Sequence, residues 1–192
     1  MATLPVPCIF DKDPNGIAIN QVAAGQEWAL AGNVLATRKP DGIVCSIQQG
    51  KVFRADGTQA RWYRPVDLNY ADAIEILKRE RTRILDRYYI LCNAQEAGGQ
   101  AGVKVNTLYP YVALPGQTPD LTIHNGWTDI SFLTKQAFLT FNILKAACEM
   151  QGISGVVMHH TDGRAAEVTR ADFGLPLVLP GEIPASEQIS IS

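Results

Sequence analysis

The sequence predicts an α+β fold in which short antiparallel strands precede and follow two amphipathic helices. Over residues 1–66, short extended segments are separated by Asn-Gly and Asp-Gly pairs, which favour tight hairpin turns. Two later stretches, at about 70–88 and 131–151, repeat their apolar residues at helical spacing. A further Asp-Gly pair, at 162 and 163, lies between two strand-like segments and predicts a C-terminal β-hairpin.

The β-rich part, residues 1–66, is expected to form an antiparallel meander or a sandwich-like sheet. Asn15-Gly16, Asp41-Gly42 and Asp56-Gly57 are the predicted turns, because these pairs tolerate the positive φ angles of two-residue loops. The clearest hairpin is predicted at 51–63, around Asp56-Gly57. The predicted strands are residues 17–22, 28–36, 43–47, 51–55 and 59–64.

Both predicted helices have recognisable ends. Asn69 can cap the first helix, which is expected to run from about 70 to 88. Ser131 can cap the second, expected at about 131–151, and Gly152 favours its termination. We expect this second helix to lie across a sheet. The side chains that it should bury are Leu133, Phe138, Phe141 and Leu144.

The length of 192 residues is sufficient for one domain with a sizeable core. We predict a single α+β domain over residues 1–175, with a β-rich half at 1–66 and a mixed half at 67–175. Within the mixed half, residues 93–127 are rich in glycine and proline and are expected to be irregular.

Residues 176–192 are predicted to form an extended C-terminal arm, because three prolines interrupt an apolar segment of little charge. The last residues alternate polar and apolar side chains, which is typical of a strand added to the edge of a neighbouring sheet. We therefore expect another subunit to contact the arm. The predicted interface residues are Leu177, Leu179, Ile183, Ile189 and Ile191.

Composition narrows the range of functions. The net charge is −2, from 17 basic and 19 acidic residues, and gives no reason to expect nucleic-acid binding. No apolar stretch approaches the roughly 18 residues of a membrane helix, and the N-terminal sequence lacks the features of a signal peptide. Wide spacing of the cysteines favours buried free thiols over a zinc site or disulfides. These residues are Cys8, Cys45, Cys92 and Cys148.

Two groups of side chains allow more than one interpretation. Basic residues crowd the end of the first predicted helix, where they could contact phosphates, contact another subunit or be solvated. They are Lys78, Arg79, Arg81, Arg83 and Arg87. Six aromatic residues suit either a core edge or an interface. They are Trp62, Tyr63, Tyr88, Tyr89, Tyr109 and Tyr111.

The most enzyme-like cluster is His159-His160 followed by Asp162, to which His124 could contribute. A histidine there could act as a base or bind a metal ion. Adjacent residues of a strand point to opposite faces, so the two histidines are not expected to share one metal. The sequence has neither a phosphate-binding glycine motif nor a serine-hydrolase elbow. We therefore predict no catalytic residue, no cofactor and no metal site.

The segment at residues 13–36 resembles one found near the start of certain tailed-bacteriophage virion structural proteins. The shared pattern is Asn-Gly-Ile, a glutamine, an Ala/Gly-rich step and a strand of the form Leu-x-Gly-x-x-Leu. The matching positions are Asn15, Gly16, Ile17, Gln21, Ala23, Ala24, Gly25, Leu30, Gly32 and Leu35. The resemblance implies a β-rich particle protein without catalysis.

One hypothesis leads and two alternatives stay open. We expect a non-enzymatic structural component of a tailed-phage particle, in capsid decoration, the neck or tail assembly. Its partners would be copies of itself and other virion proteins, with no membrane, nucleic acid or small molecule among them. It would be synthesised in the host cytoplasm and reside in the virion. The alternatives are a small-molecule-binding protein or enzyme using His124, His159, His160 and Asp162, and an accessory protein that contacts host components.

Overall fold

The computed structural model describes residues 6–32, 34–40, 42–92, 106–114, 116–117, 130, 133, 138–150 and 153–176. Within these ranges nine strands and two α-helices have defined bounds, and Leu133 is also α-helical. The strands are β1 (Phe10–Lys12), β2 (Ala18–Val22), β3 (Leu35–Lys39), β4 (Ile43–Gln48), β5 (Lys51–Arg54), β6 (Arg87–Cys92), β7 (Thr107–Pro110), β8 (Gly155–His159) and β9 (Ala165–Thr169). The helices are α1 (Ala71–Arg79) and α2 (Phe141–Glu149). The predicted α+β class with a β-rich N-terminal part is confirmed.

The chain divides into two compact units. The four-stranded unit lies within Pro40–Pro115, and the three-stranded unit combines Val6–Lys39 with Gly116–Val178. This division does not coincide with the predicted boundary between a β-rich and a mixed half, because strands β4 and β5 belong to the same unit as α1. The prediction of a single domain over residues 1–175 stays a prediction.

The four-stranded unit is an antiparallel sheet in the order β5-β4-β6-β7, with α1 packed on it. A two-residue loop joins β4 to β5, and both of its residues, Gln49 and Gly50, have positive φ angles of 51° and 69°. Two such angles suit the right-handed twist of a tight hairpin. The core of this unit consists of Cys45, Ile47, Val52, Ala60, Ala73, Ile76, Leu77, Tyr89 and Leu91.

The three-stranded unit contains an antiparallel sheet in the order β3-β8-β9 and a separate hairpin of β1 and β2. Cys8 forms a parallel bridge to Glu167, so the chain just before β1 runs beside β9. The Thr140 side chain accepts a hydrogen bond from the Ile143 amide and caps α2. The fully buried side chains of this core include Ile9, Ile130, Leu133, Leu144, Ile153, Val156 and Met158.

Several predicted elements are confirmed. Turns form at Asn15-Gly16 and Asp56-Gly57, and the C-terminal hairpin pairs β8 with β9 around Asp162-Gly163. The cysteines are free, and Cys45, Cys92 and Cys148 are buried, whereas Cys8 is partly exposed. No helix in the described part of the chain is long and apolar enough to cross a membrane.

Two predicted strands are wrong. Residues 28–36 contain a 3₁₀ helix at Glu27–Leu30, and β3 begins only at Leu35. Gly25 and Gly32, both with φ of 80°, turn the chain on either side of that helix. In the segment 59–64, only Gln59 bridges to Phe53 before a 3₁₀ helix begins at Pro65.

The first helix is shorter than predicted. Helix α1 ends at Arg79, and Tyr88, predicted to belong to the helix, lies in β6. β6 is an inner strand between β4 and β7, so its pairing on both edges overrides the helical spacing of its apolar residues. Asn69 lies in a preceding 3₁₀ helix, and the residue at the cap position of α1 is Tyr70.

The second predicted helix is interrupted, because Leu133 is α-helical but residues 138–140 are not. Thr140 has an extended conformation, and α2 starts after it at Phe141. Leu133 and Leu144 are buried as predicted, but Phe138 is 75% exposed and Phe141 is only partly buried. Some predicted positions lie outside the described residues: the turn residue Asp41, the cap Ser131, the end at Gly152, residues 93–105 and the arm from Leu177 onward.

Candidate functional site

His159 is a buried side chain at the end of β8. Its Nε2 atom lies 2.7 Å from Thr37 Oγ1 on β3, and the two groups share a hydrogen bond. Because β3 and β8 are paired, this bond connects neighbouring strands within one sheet. The geometry therefore gives His159 a role in stabilising the three-stranded unit.

His160 follows β8 and lies among different groups. Its Nδ1 atom is 2.9 Å from Asp162 Oδ1, and its ring meets that of Trp28 edge to face at 5.5 Å. The guanidinium of Arg164 lies 5.1 Å from the centre of the Trp28 ring, and its Nε atom donates to Asp162 Oδ2 at 2.8 Å. Hydrogen bonds from the Arg164 amide, His160 and the Arg164 side chain lower the pKa of Asp162.

The predicted histidine cluster is thus divided between two environments. His159 bonds to Thr37, whereas His160 and Asp162 belong to the exposed turn of the β8–β9 hairpin. His124 lies outside the described residues. In the described ranges, no group of three or more His, Cys, Asp or Glu side chains is arranged to hold a metal ion.

A second feature is a surface segment that we call the aromatic turn, residues 61–68. It exposes four large apolar side chains. These are Trp62, Tyr63, Val66 and Leu68, each between 58% and 69% exposed. An ordered cluster of exposed apolar groups is unusual on a protein surface and is typical of an interaction site.

The 3₁₀ helix Pro65–Tyr70 explains why Val66 and Leu68 point outward. With three residues per turn, Asp67 and Tyr70 share one face of the helix. Asp67 is only 1% exposed, and Tyr70 packs against the core of the four-stranded unit. Val66 and Leu68, on the other faces, therefore remain in solvent.

Polar contacts hold the aromatic turn in place. Oδ2 of Asp67 accepts a hydrogen bond of 3.0 Å from the Arg61 amide, and Oδ1 lies 3.6 Å from Nη1 of Arg54. The backbone amides of Arg64 and Asp67 donate to the carbonyl groups of Arg61 and Arg64, each at 2.9 Å. The apolar side chains are consequently displayed on a segment with its own hydrogen-bond network.

The basic residues predicted for the first helix lie in two different environments. Arg87 lies in β6 and is buried, whereas Lys78, Arg79, Arg81 and Arg83 are exposed. Nη2 of Arg79 pairs with Glu80 at 2.9 Å. Lys78 and Arg79 lie in the last turn of α1, and Arg81 and Arg83 lie in the loop between α1 and β6.

Trp62 and Tyr63 are predicted from the sequence as candidates for a core edge or an interface, but within a strand. The sequence does not single out Val66 and Leu68, because single apolar residues near a proline carry no distinctive pattern. The predicted interface residues of the C-terminal arm lie outside the described residues.

No protein-family model matches the sequence, and no curated protein matches it significantly.

Proposed function

We propose that this protein is a non-enzymatic structural component of a tailed-phage particle that acts through contacts between subunits. The observation that carries the proposal is the aromatic turn, in which Trp62, Tyr63, Val66 and Leu68 are exposed together on a hydrogen-bonded segment. Exposed aromatic side chains supply much of the binding energy of protein interfaces. The role would be capsid decoration or assembly of the neck or tail.

The resemblance at residues 13–36 supports a particle protein. Two glycines of the shared pattern, Gly25 and Gly32, occupy turns with φ of 80°, a conformation that other residues adopt at a cost. Their positions therefore have a backbone reason, and the loops that they form enclose the 3₁₀ helix carrying Trp28. The proposed partners are copies of the chain and other virion proteins, and the proposed location is the virion.

Purified particles test this role. Particles from a producing culture should contain the protein in stoichiometric amounts after density-gradient purification, as measured by quantitative mass spectrometry against the major capsid protein. A W62S/Y63S variant should enter particles less well than the wild type. Ile19→Ser, which changes an exposed residue of β2, is the matched control and should enter normally. Absence of the wild-type protein from purified particles would refute the proposal.

A second candidate function rests on the β8–β9 turn. There Trp28 offers an aromatic surface beside His160, Asp162 and Arg164, a combination suited to a small charged ligand. Calorimetric screening of small anions and cations against the wild type and His160→Ala tests it. Heat of binding that is lost in the variant would favour this function, and identical flat titrations would remove its support.

A further inference from the structure

We propose that the aromatic turn binds residues 177–192 of a second copy of this chain. The inference rests on the proposed function, since it names the partner that the exposed turn would meet in an assembly. Three observations support it: the shape of the turn, the composition of the C-terminal segment and the distribution of charge along the chain.

The turn presents an apolar corner with basic groups at its sides. The rings of Trp62 and Tyr63 stand at 88° to each other with their centres 5.8 Å apart. Nη1 of Arg61 donates to the Tyr63 hydroxyl at 2.7 Å, which fixes the outer edge of that ring. Arg61 and Arg64 are both exposed. Aromatic surfaces of this kind bind extended segments that contain proline.

The segment 177–192 has the complementary composition. It contains Pro180 and Pro184, which favour an extended backbone and lower the entropy lost on binding. Its charged residues are Glu182 and Glu187, with no lysine or arginine. Its large apolar side chains are Leu177, Val178, Leu179, Ile183, Ile189 and Ile191. Apolar side chains would meet the aromatic corner, and the glutamates would meet the two arginines.

Charge distribution favours a second copy as the source of this segment. Residues 42–92 carry nine basic and six acidic side chains, a net charge of +3. The rest of the chain carries eight basic and thirteen acidic side chains, a net charge of −5, within the total of −2. Copies of one chain therefore attract one another when the basic region of one meets an acidic region of the next. Such a contact joins unlike surfaces and can extend to further copies.

Sedimentation velocity of the full chain over a range of concentrations tests the contact. The wild type should associate as concentration rises. A turn variant, W62S/Y63S, and a segment variant, L179S/I183S, should each sediment as monomers over the same range. An equimolar mixture of the two variants retains one intact turn and one intact segment per pair. The mixture should therefore form a heterodimer and nothing larger.

Phe138→Ser is the matched control, because Phe138 is more exposed than any of the four apolar side chains of the turn but belongs to the three-stranded unit. It should associate like the wild type. Circular dichroism and the thermal midpoint of each variant should match the wild type, since the substituted residues of the turn are exposed. A turn variant that unfolds would be replaced by the single substitution Val66→Ser, with the same expectation of weakened association.

Three outcomes would overturn the proposal. A wild type that stays monomeric would show that the turn does not bind a second copy. A segment variant that associates like the wild type would show that another surface occupies the turn. A mixture that stays monomeric would show that the two sites do not meet. Failure here is distinct from failure of the particle role: a protein present in particles but monomeric in solution refutes this contact alone, and one that associates but is absent from particles refutes the role.

Discussion

At the scale of single residues, Phe138 and Phe141 are three positions apart but differ strongly in the burial of their side chains. Phe138 lies before the cap of α2 and is 75% exposed. Phe141 is the first residue of α2, and its ring meets those of Phe10 and Phe173 edge to face, with centres 5.0 and 5.1 Å away. Identical side chains are thus available for a comparison of packing alone.

Phe141→Ala should lower the free energy of unfolding by roughly 2 kcal/mol. A fully buried phenylalanine loses about 3–5 kcal/mol on this change, but Phe141 keeps part of its ring in solvent. The two aromatic contacts contribute to the loss beyond buried area. Urea unfolding followed by circular dichroism measures the change.

The control for this prediction is Phe138→Ala, which should change the free energy of unfolding by less than about 0.5 kcal/mol. Equal effects of the two substitutions would contradict the packing described for α2. A gain in stability at Phe141 would do so as well.

The buried thiols predict a loss of stability at alkaline pH. Burial raises the pKa of Cys45 and of Cys148 from 9.0 to about 12. Below pH 9 each thiol is neutral in both states, so its contribution is fully present. Between pH 9 and 12 the unfolded chain ionises first, and unfolding becomes easier by up to about 1.4 kcal/mol per thiol and pH unit.

Urea midpoints between pH 8 and 10.5 measure this effect, and we expect them to fall as the pH rises. Cys148→Ala should be less stable than the wild type at pH 8 but lose less stability between pH 8 and 10.5. Deprotonation of Lys12 also lowers stability as the pH rises, because its hydrogen bond to Asp172 raises its pKa. This loss begins above the pH range in which the thiols ionise in the unfolded chain. Parallel pH profiles for the wild type and the variant would contradict the prediction.

At the scale of elements, Asp67 links the 3₁₀ helix Pro65–Tyr70 to β5. Asp67→Ala removes the acceptor of the Arg61 amide and the partner of Arg54. We expect a loss of about 1.5–3 kcal/mol, the range for a hydrogen bond to a charged group. Glu75→Ala, on the exposed face of α1, should change stability by less than about 0.5 kcal/mol.

Urea unfolding of both variants measures these changes. Tryptophan fluorescence adds an independent signal, because loss of the Asp67 contacts should release Trp62 and alter its emission. Equal stability of the two variants would show that the Asp67 contacts do not hold the aromatic turn.

Elements governed by local chemistry could be predicted from sequence. Asn15-Gly16, Asp56-Gly57 and Asp162-Gly163 all form turns, since the residues within each pair determine the available φ angles. Residues 87–92 could not be placed, because their conformation depends on pairing with β4 and β7. Intrinsic helical spacing is a weaker influence than two strand ladders.

The candidate sites, too, depend partly on contacts between residues that are distant in sequence. His159 and His160 do lie in different environments, as expected, but the reason differs: β8 ends at His159, and His160 belongs to the turn that follows. The aromatic turn is not predicted by the sequence, because Trp62 and Tyr63 fall in the second arm of the hairpin expected around Asp56-Gly57. The exposure of Val66 and Leu68 depends on the burial of Asp67 beside Arg54, which is thirteen residues earlier in the sequence. A pattern within one short window contains no information about that contact.

At the scale of the whole molecule, the three-stranded unit is formed from separated parts of the chain. Thr37 and His159, which share a hydrogen bond, are 122 residues apart. Lys39 on β3 also pairs with Glu167 on β9 at 2.8 Å. The residues of the four-stranded unit lie between these partners in sequence. Closing loops of this length costs conformational entropy, so we expect these contacts to slow folding.

At the level of the whole chain, charge in the aromatic turn should control the strength of self-association. Arg64→Glu places a negative charge in the aromatic turn, where the proposed partner segment carries Glu182 and Glu187. Self-association in 0.1 M salt should weaken about tenfold or more, because like charges oppose each other across an interface. Lys51→Glu changes the net charge equally within the same unit but on β5, outside the turn, and should weaken it by about twofold at most. In about 1 M salt the two variants should converge, since screening shortens the range of the repulsion to roughly 3 Å. Sedimentation equilibrium measures the association constant of each variant. Equal weakening by the two variants in 0.1 M salt would contradict a specific role for the turn.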